Sequence, residues 1–166
     1  MDIRQINEAI FYLTNQERIK QRIRPLLLDL SLERAATLHS TNMVKGNFFN
    51  HLELSNKGLR TPHDRIIHCG GNFLMSGENI AKGPCMGFVD EIKVKIPFVG
   101  SFIQGSIPKK ITPMEFAQKT VEGWMDSKGH KANILCGSFK FLGVGTAICT
   151  AHKEVDYGLC TQNFGG

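Results

Sequence analysis

The 166-residue sequence predicts an α+β fold, and three observations carry that prediction. Apolar residues recur at helical spacing through the first third of the chain. A Thr-Pro pair opens a later helical stretch at Thr112. Two β-rich runs, "FKFLGVGTAICT" and "YGLCTQNFG", then close the sequence and suggest an antiparallel hairpin.

Each element follows from local chemistry. Asp2 can cap a first helix in which Ile3, Ile6, Ile10 and Leu13 share a face, running to about Arg22 before Pro25 intervenes. A second helix begins near Ser31, with Leu32, Ala35, Ala36, His39 and Met43 on one side, and Gly46 stops it. On that face His39 reads as a buried ring donating to a backbone carbonyl. "TPHDRIIHCGG" has Thr61 as N-cap, Pro62 at the first helical position and Asp64 at the third, and Gly70 and Gly71 end the short helix. "TPMEFAQKTVEGWMDS" repeats that grammar from Thr112. Phe116, Ala117, Thr120, Val121, Trp124 and Ser127 share its inner face, while Glu115, Lys119, Glu122 and Asp126 are solvated. Gly129 is expected to end this helix, and "ANIL" to begin the next packed turn. A terminal hairpin with Glu154 and Val155 as its loop would set Cys149 opposite Cys160, a testable disulfide. The interval Cys85–Lys110 differs in texture and reads as an inserted hairpin or flap, in which Ile92, Val94, Ile96 and Phe98 cover a sheet or cavity mouth, or touch lipid.

Composition narrows the function classes. Apolar residues at 42% and charged ones at 21% are ordinary for a globular domain of this length. The net charge of +5 comes from scattered Lys and Arg with no basic run or aromatic interleaving, which argues against nucleic acid as partner. No apolar run approaches the ~18 residues of a membrane span, so the chain does not read as an integral membrane protein. Met1-Asp2-Ile3-Arg4 does not open a signal peptide. The five cysteines lack C-x-x-C spacing, which disfavours a thiolate metal site and leaves at least one thiol free.

Chemistry concentrates in His51 of "FFNHLEL", Glu78 of "SGENIAKG" and His130 of "SKGHKANIL". Two imidazoles and a carboxylate are a ligand set for zinc or another divalent metal. A hydrolase reading makes His130 the base and Glu78 its orienting carboxylate, with His51 holding a water or metal. Ser127 is a poor nucleophile there, since it ends a helix rather than occupying a G-x-S-x-G elbow. A third reading is structural, with Glu78 tying a strand to loops.

In order, "NEAIFYLTNQER", "LERAATLHSTNM", "FFNHLEL", "TPHDRI", "SGENIAKG", "EGWMDSKGHKANIL", "FLGVGTAI" and "YGLCTQNFGG" resemble the CAP superfamily, the SCP-like group of cysteine-rich secretory, antigen-five and pathogenesis-related proteins, in its bacterial branch. The resemblance spans Asn7 to Phe164 apart from the insertion at about 85–110. It implies a three-layer α-β-α sandwich with a small antiparallel sheet, read as one domain over residues 1–166, and a cleft that collects two histidines and two acidic residues. His51, Glu78 and His130 match three of these. Ser127 stands where many eukaryotic members carry the second glutamate, and Asp126, about 100° round the helix, does not replace it. The resemblance further implies extracellular or cell-envelope placement and a non-enzymatic module binding a lipid or cell-envelope component at the cleft lined by His51, Glu78, Ser127 and His130. A protein-interaction module with a purely structural cleft is the other expectation.

Overall fold

A computed structural model describes the backbone of residues 1–95, 102–150 and 156–166, and their side chains except those of 88–95 and 102–108. Helix α1 covers Ile3–Lys20, with the Asp2 carboxylate accepting from the Arg4 and Gln5 N–H groups. Strand β1 is the two residues Leu27–Leu28, and α2 covers Leu30–Gly46. Its cap is Asp29, two residues before Ser31, because a carboxylate can accept from both the Ser31 and Leu32 amides. Its end is set by Asn47 rather than by Gly46: Asn47 takes the left-handed conformation at φ 49°, which asparagine tolerates well. Helix α3 (Pro62–His68) carries the full capping box of Thr61 and Asp64. Strand β2 is Ser76–Pro84, the inserted hairpin is β3 (Met86–Lys95) with β4 (Phe102–Lys110), and α4 is Pro113–Asp126. Helix α5 runs Lys128–Ile134, and β5 (Phe141–Cys149) and β6 (Tyr157–Gly165) complete the chain.

Gly129 does not end α4. It lies inside α5, and the break between the two helices is Ser127, extended at φ −93° and ψ 122°, which closes one helix and opens the next. The reversal thus needs no left-handed residue. His130 consequently sits on the first turns of a short helix rather than in a loop.

The main sheet has the order β1-β5-β6-β2, antiparallel except for the short β1. Alternation along β5 and β6 sorts side chains into two layers. Leu142, Val144, Cys160 and Phe164 point to the side where Ile6 and Ile10 of α1, Phe116 and Trp124 of α4, and Ile134 of α5 form the larger core. Gly143, Gly145, Leu159, Thr161 and Asn163 face α2. There Met43 meets Ile80 and Leu159, and the Ser40 hydroxyl lies 2.8 Å from both the Gly145 carbonyl and the Thr161 hydroxyl. The result is the α-β-α sandwich. The glycines of "FLGVGTAI" have a specific use: a Cβ on Gly143 or Gly145 would enter the backbone of α2 at Leu32–Glu33 or Ala36–Thr37.

The terminal hairpin forms, with a register three residues away from the two-residue-loop expectation. Cys149 lies opposite Tyr157, and Cys160 lies opposite Thr146, so the two cysteines are not partners. All five cysteines are free thiols. Burial pushes the Cys160 thiol up to about 12 and raises that of Cys85. The interval after Cys85 pairs with itself, Met86 against Lys110, and its base is tied by Cys85 N–H to the Asp156 carbonyl and by Ile111 N–H to the Cys85 carbonyl. The covering role expected of Ile92, Val94, Ile96 and Phe98 falls on side chains outside the described residues.

Replacing Gly145 by alanine should destabilise the fold by about 3 kcal/mol, since α2 must lift off the sheet to admit the methyl group. Urea unfolding followed by circular dichroism measures it, and a loss no larger than that of an exposed Gly→Ala, such as Gly137→Ala, would refute the close-approach argument.

Candidate functional site

Glu78 is the centre of the site, with its side chain only 2% exposed. It lies on edge strand β2 directly opposite Asn163 and points to the α2 side of the sheet. A carboxylate there must be paired. Its Oε2 accepts from Arg65 Nη2 of α3 at 2.7 Å, and its Oε1 accepts from His51 Nδ1 at 2.8 Å. Asn163, with its amide turned to satisfy both ends, adds a donor to Oε2 at 3.2 Å. Because the carboxylate only accepts, His51 carries its proton on Nδ1 and presents Nε2 outward.

The loop bearing His51 has two further anchors. Arg65 Nη2 also donates to the His51 carbonyl at 3.0 Å, while Nη1 reaches the Leu59 and Arg60 carbonyls. His39 is fully buried on α2, and its Nε2 donates to the Asn50 carbonyl at 3.0 Å, the role its helix face predicted. Its Nδ1 is buried without a partner among the described residues, as a neutral ring requires. Burial holds His39 below the usual imidazole value, with the Glu78 charge opposing and the Arg65 charge reinforcing that direction.

His130 reaches the site from the other face of β2. Asn79 Nδ2 donates to its carbonyl at 3.1 Å and to Gln162 Oε1 at 3.2 Å, Gln162 continues to the Thr14 hydroxyl, and Asn133 of α5 donates to Asn79 Oδ1 and to the Glu78 carbonyl. The adjacent residues of "GEN" therefore serve opposite layers: Glu78 orients His51, and Asn79 fastens the helix that carries His130. The two imidazole rings face each other with centroids 6.5 Å apart. Burial, then the neighbouring His51, lowers the pKa of His130.

The structure brings His51, Glu78 and His130 together, but it changes their roles. Glu78 orients His51, not His130, so the carboxylate–imidazole pair of the hydrolase reading belongs to His51. Ser127 lies beside His130 in the wall of a cavity of about 410 Å³ between β2 and α4. For a divalent ion, the two Glu78 oxygens are engaged by His51 and Arg65 and the second carboxylate is replaced by Ser127. Among the described residues no three His, Cys, Asp or Glu side chains are arranged to hold an ion, and the set that remains is His51 Nε2 and the His130 ring. Sequence reading missed Arg65, Asn79 and Asn133. Each sits inside a quoted motif, and for Arg65 the signal was a long cation next to the apolar pair Ile66 and Ile67 on a two-turn helix.

The layered fold, with this pairing at the sheet edge, defines a class. The model of the cysteine-rich secretory protein family, CAP, matches residues 11–164, and the chain belongs to that family. It is 32% identical to the uncharacterized protein YkwD of Bacillus subtilis over 138 residues, 83% of this chain and 41% of that protein. It is 28% identical over 157 residues to the uncharacterized membrane protein YlbC of the same organism, 95% of this chain and 33% of that protein. The chain thus spans well under half the length of these relatives. Among solved structures it is similar to an extracellular protein containing an SCP domain from Bacillus anthracis, with TM-score 0.68, 26% identity, and coverage of 98% of this chain and 41% of that one. It also shares its fold with an outer surface protein of Borrelia burgdorferi at TM-score 0.65 and 15% identity, covering 100% and 97%.

Arg65→Ala should cost about 3–5 kcal/mol, because it strands the buried Glu78 charge, and Arg65→Ala with Glu78→Gln should recover part of the loss. Chemical denaturation of Arg65→Ala, Glu78→Gln and the double variant tests this, and additive losses would rule the pairing out. His39 gives a pH dependence with a fixed sign. Its folded pKa is depressed from 6.5, so the stability it contributes is complete above that value and is lost as pH falls toward the folded pKa. His39→Gln keeps a donor for Asn50 and should flatten the acid side of the urea-midpoint profile; an unchanged slope would count against it.

Proposed function

We propose that the domain is an extracellular-type binding module that takes an amphipathic ligand, a lipid or a lipid-like component of the cell envelope. The polar head lies at His51 and His130 and the apolar body in the groove between β2 and α4. The observation that carries this reading is the groove. It starts at His130 and Ser127, runs past Ile80, Ala81 and Trp124 to Ile111 and Phe116, and encloses about 410 Å³. Gly123 lies on its wall, in the middle of α4, where glycine costs about 1 kcal/mol relative to alanine. A Cβ at Gly123 would meet nothing within 4 Å among the described residues, so close packing against them does not explain the residue. Its absence of side chain leaves the groove wide.

The polar end suits a carboxylate or phosphate head. His51 is held by Glu78 but is 45% exposed; its outward Nε2 is an acceptor while Nδ1 carries the proton, so His51 draws an anion only as the imidazolium, whereas a neutral His130 ring still has one N–H to donate. A divalent ion bridging His51 Nε2 and the His130 ring would supply a stronger charge to the same head group. Placement outside the cytoplasm is supported by the likeness to the Bacillus anthracis protein described as extracellular. A second reading, hydrolysis with His51 as base, rests on the Glu78–His51 pair, which supplies the orienting half of a triad.

Titration of oleate by calorimetry tests the binding reading. Gly123→Trp should weaken binding at least tenfold by filling the groove, and His130→Ala should weaken it several-fold while leaving the groove intact, each worth about 1 kcal/mol or more. Binding untouched by Gly123→Trp, or no binding by the wild type, would sink the proposal. Hydrolysis of ester substrates abolished by His51→Ala but not by His130→Ala would favour the second reading instead.

A further inference from the structure

The opposite edge of the sheet carries a surface that the cleft does not use. Leu26 is buried, but the next leucines of "PLLLDL" are turned outward: Leu27 is 64%, Leu28 57% and Leu30 60% exposed. Strand β1 is the end strand of the sheet. The Leu27 and Asp29 N–H groups donate inward to Lys140 and Leu142, so alternation turns the N–H and C=O of Leu28 to the free outer edge. Beside these leucines lies a cavity of about 530 Å³ whose apolar walls are Ile3, Phe11, Leu28 and Val144. At its margin Asn7 Oδ1 is a buried acceptor without a partner among the described residues. Its rim holds both signs of charge, Arg4 against Glu8 and Glu33.

We propose that this edge is a homodimer interface, in which a second copy of the chain pairs β1 with β1 about a two-fold axis. An exposed apolar edge is a template for another strand, here through the one residue, Leu28, whose backbone groups face outward. Three features favour a second copy over a different partner. A two-fold axis through Leu28 lets the Leu28 N–H and C=O of one copy exchange hydrogen bonds with those of the other, the self-pairing that an antiparallel edge permits. Leu28 lines an apolar groove on the same molecule, so the two-fold brings both Leu28 side chains and both grooves together on one face of the sheet, while Leu27 points to the other face. The rim charges complement themselves in the same way: Arg4, bonded to Glu8 at 2.8 Å within its own copy, faces Glu33 of the other, a carboxylate that would also oppose an anionic membrane. The cleft of His51 and His130 lies at the other edge of the sheet and stays open in the dimer.

Sedimentation equilibrium of the whole chain tests the interface. A dimer, twice 18.5 kDa, is expected at about 100 µM. Leu28→Glu with Leu30→Glu should weaken association about a hundredfold, because it buries two carboxylates at the contact. Leu30 is the first residue of α2, where a glutamate favours the helix, so the variant should fold with an unchanged circular dichroism spectrum. A monomer under these conditions overturns the proposal, and so does a dimer that the double variant leaves intact. Hydrogen exchange of wild type provides a second measurement that needs no variant. The Leu28 amide should be protected more strongly as concentration rises, and protection independent of concentration rejects the pairing.

Discussion

A buried carboxylate organises this protein. Removing Glu78 from water is affordable only because Arg65, itself fully buried, meets one oxygen and His51 the other. To bring Arg65 there, α3 must dock against β2. To bring His51 there, the long segment after α2 must fold back, and it is held by bonds from Arg65 and His39 to its carbonyls. The same carboxylate thus fixes a strand, a helix and a loop, and leaves one imidazole nitrogen facing outward. The cleft is a by-product of satisfying one charge.

The second organising device is the division of polar work between the faces of the sheet. Thr161, Gln162 and Asn163 are consecutive and fully buried, an arrangement that would be ruinous in an apolar core. Alternation sends Thr161 and Asn163 to the Ser40 and Glu78 side, and Gln162 to Thr14 and Asn79 on the other. Each finds a partner in its own layer, and the Gln162 branch ends on the main chain of His130. A histidine from one layer and a histidine from the other come to face each other because β2 reads both.

The helices were legible because their capping chemistry is local: Asp2, Thr61 with Asp64, and Thr112 with Glu115 all act within three residues. The position of Gly129 was misread for the same reason. Glycine after a polar run looks like a stop signal, and only the extended backbone of Ser127 shows that the chain restarts a helix. The register of the last hairpin depends on the loop between its strands, which alternation cannot fix, so the Cys149–Cys160 pairing failed while the hairpin itself stood. In the site, the three residues in the cleft were recognisable from motif likeness, but their partners were not. Arg65 acts across thirteen residues and Asn79 across fifty-one, distances at which a sequence carries no local trace of contact.

The free thiols have a consequence for the life of the chain. No covalent cross-link contributes to the packing of this sandwich, and Cys85 and Cys160 are buried and held protonated well above neutral pH. Thiol–disulfide exchange requires a thiolate, so these two sulfurs are poor reactants even for a strong oxidant. Burial therefore shields the two interior sulfurs from exchange in either redox surrounding, and leaves that chemistry to the partly buried Cys69, Cys136 and Cys149.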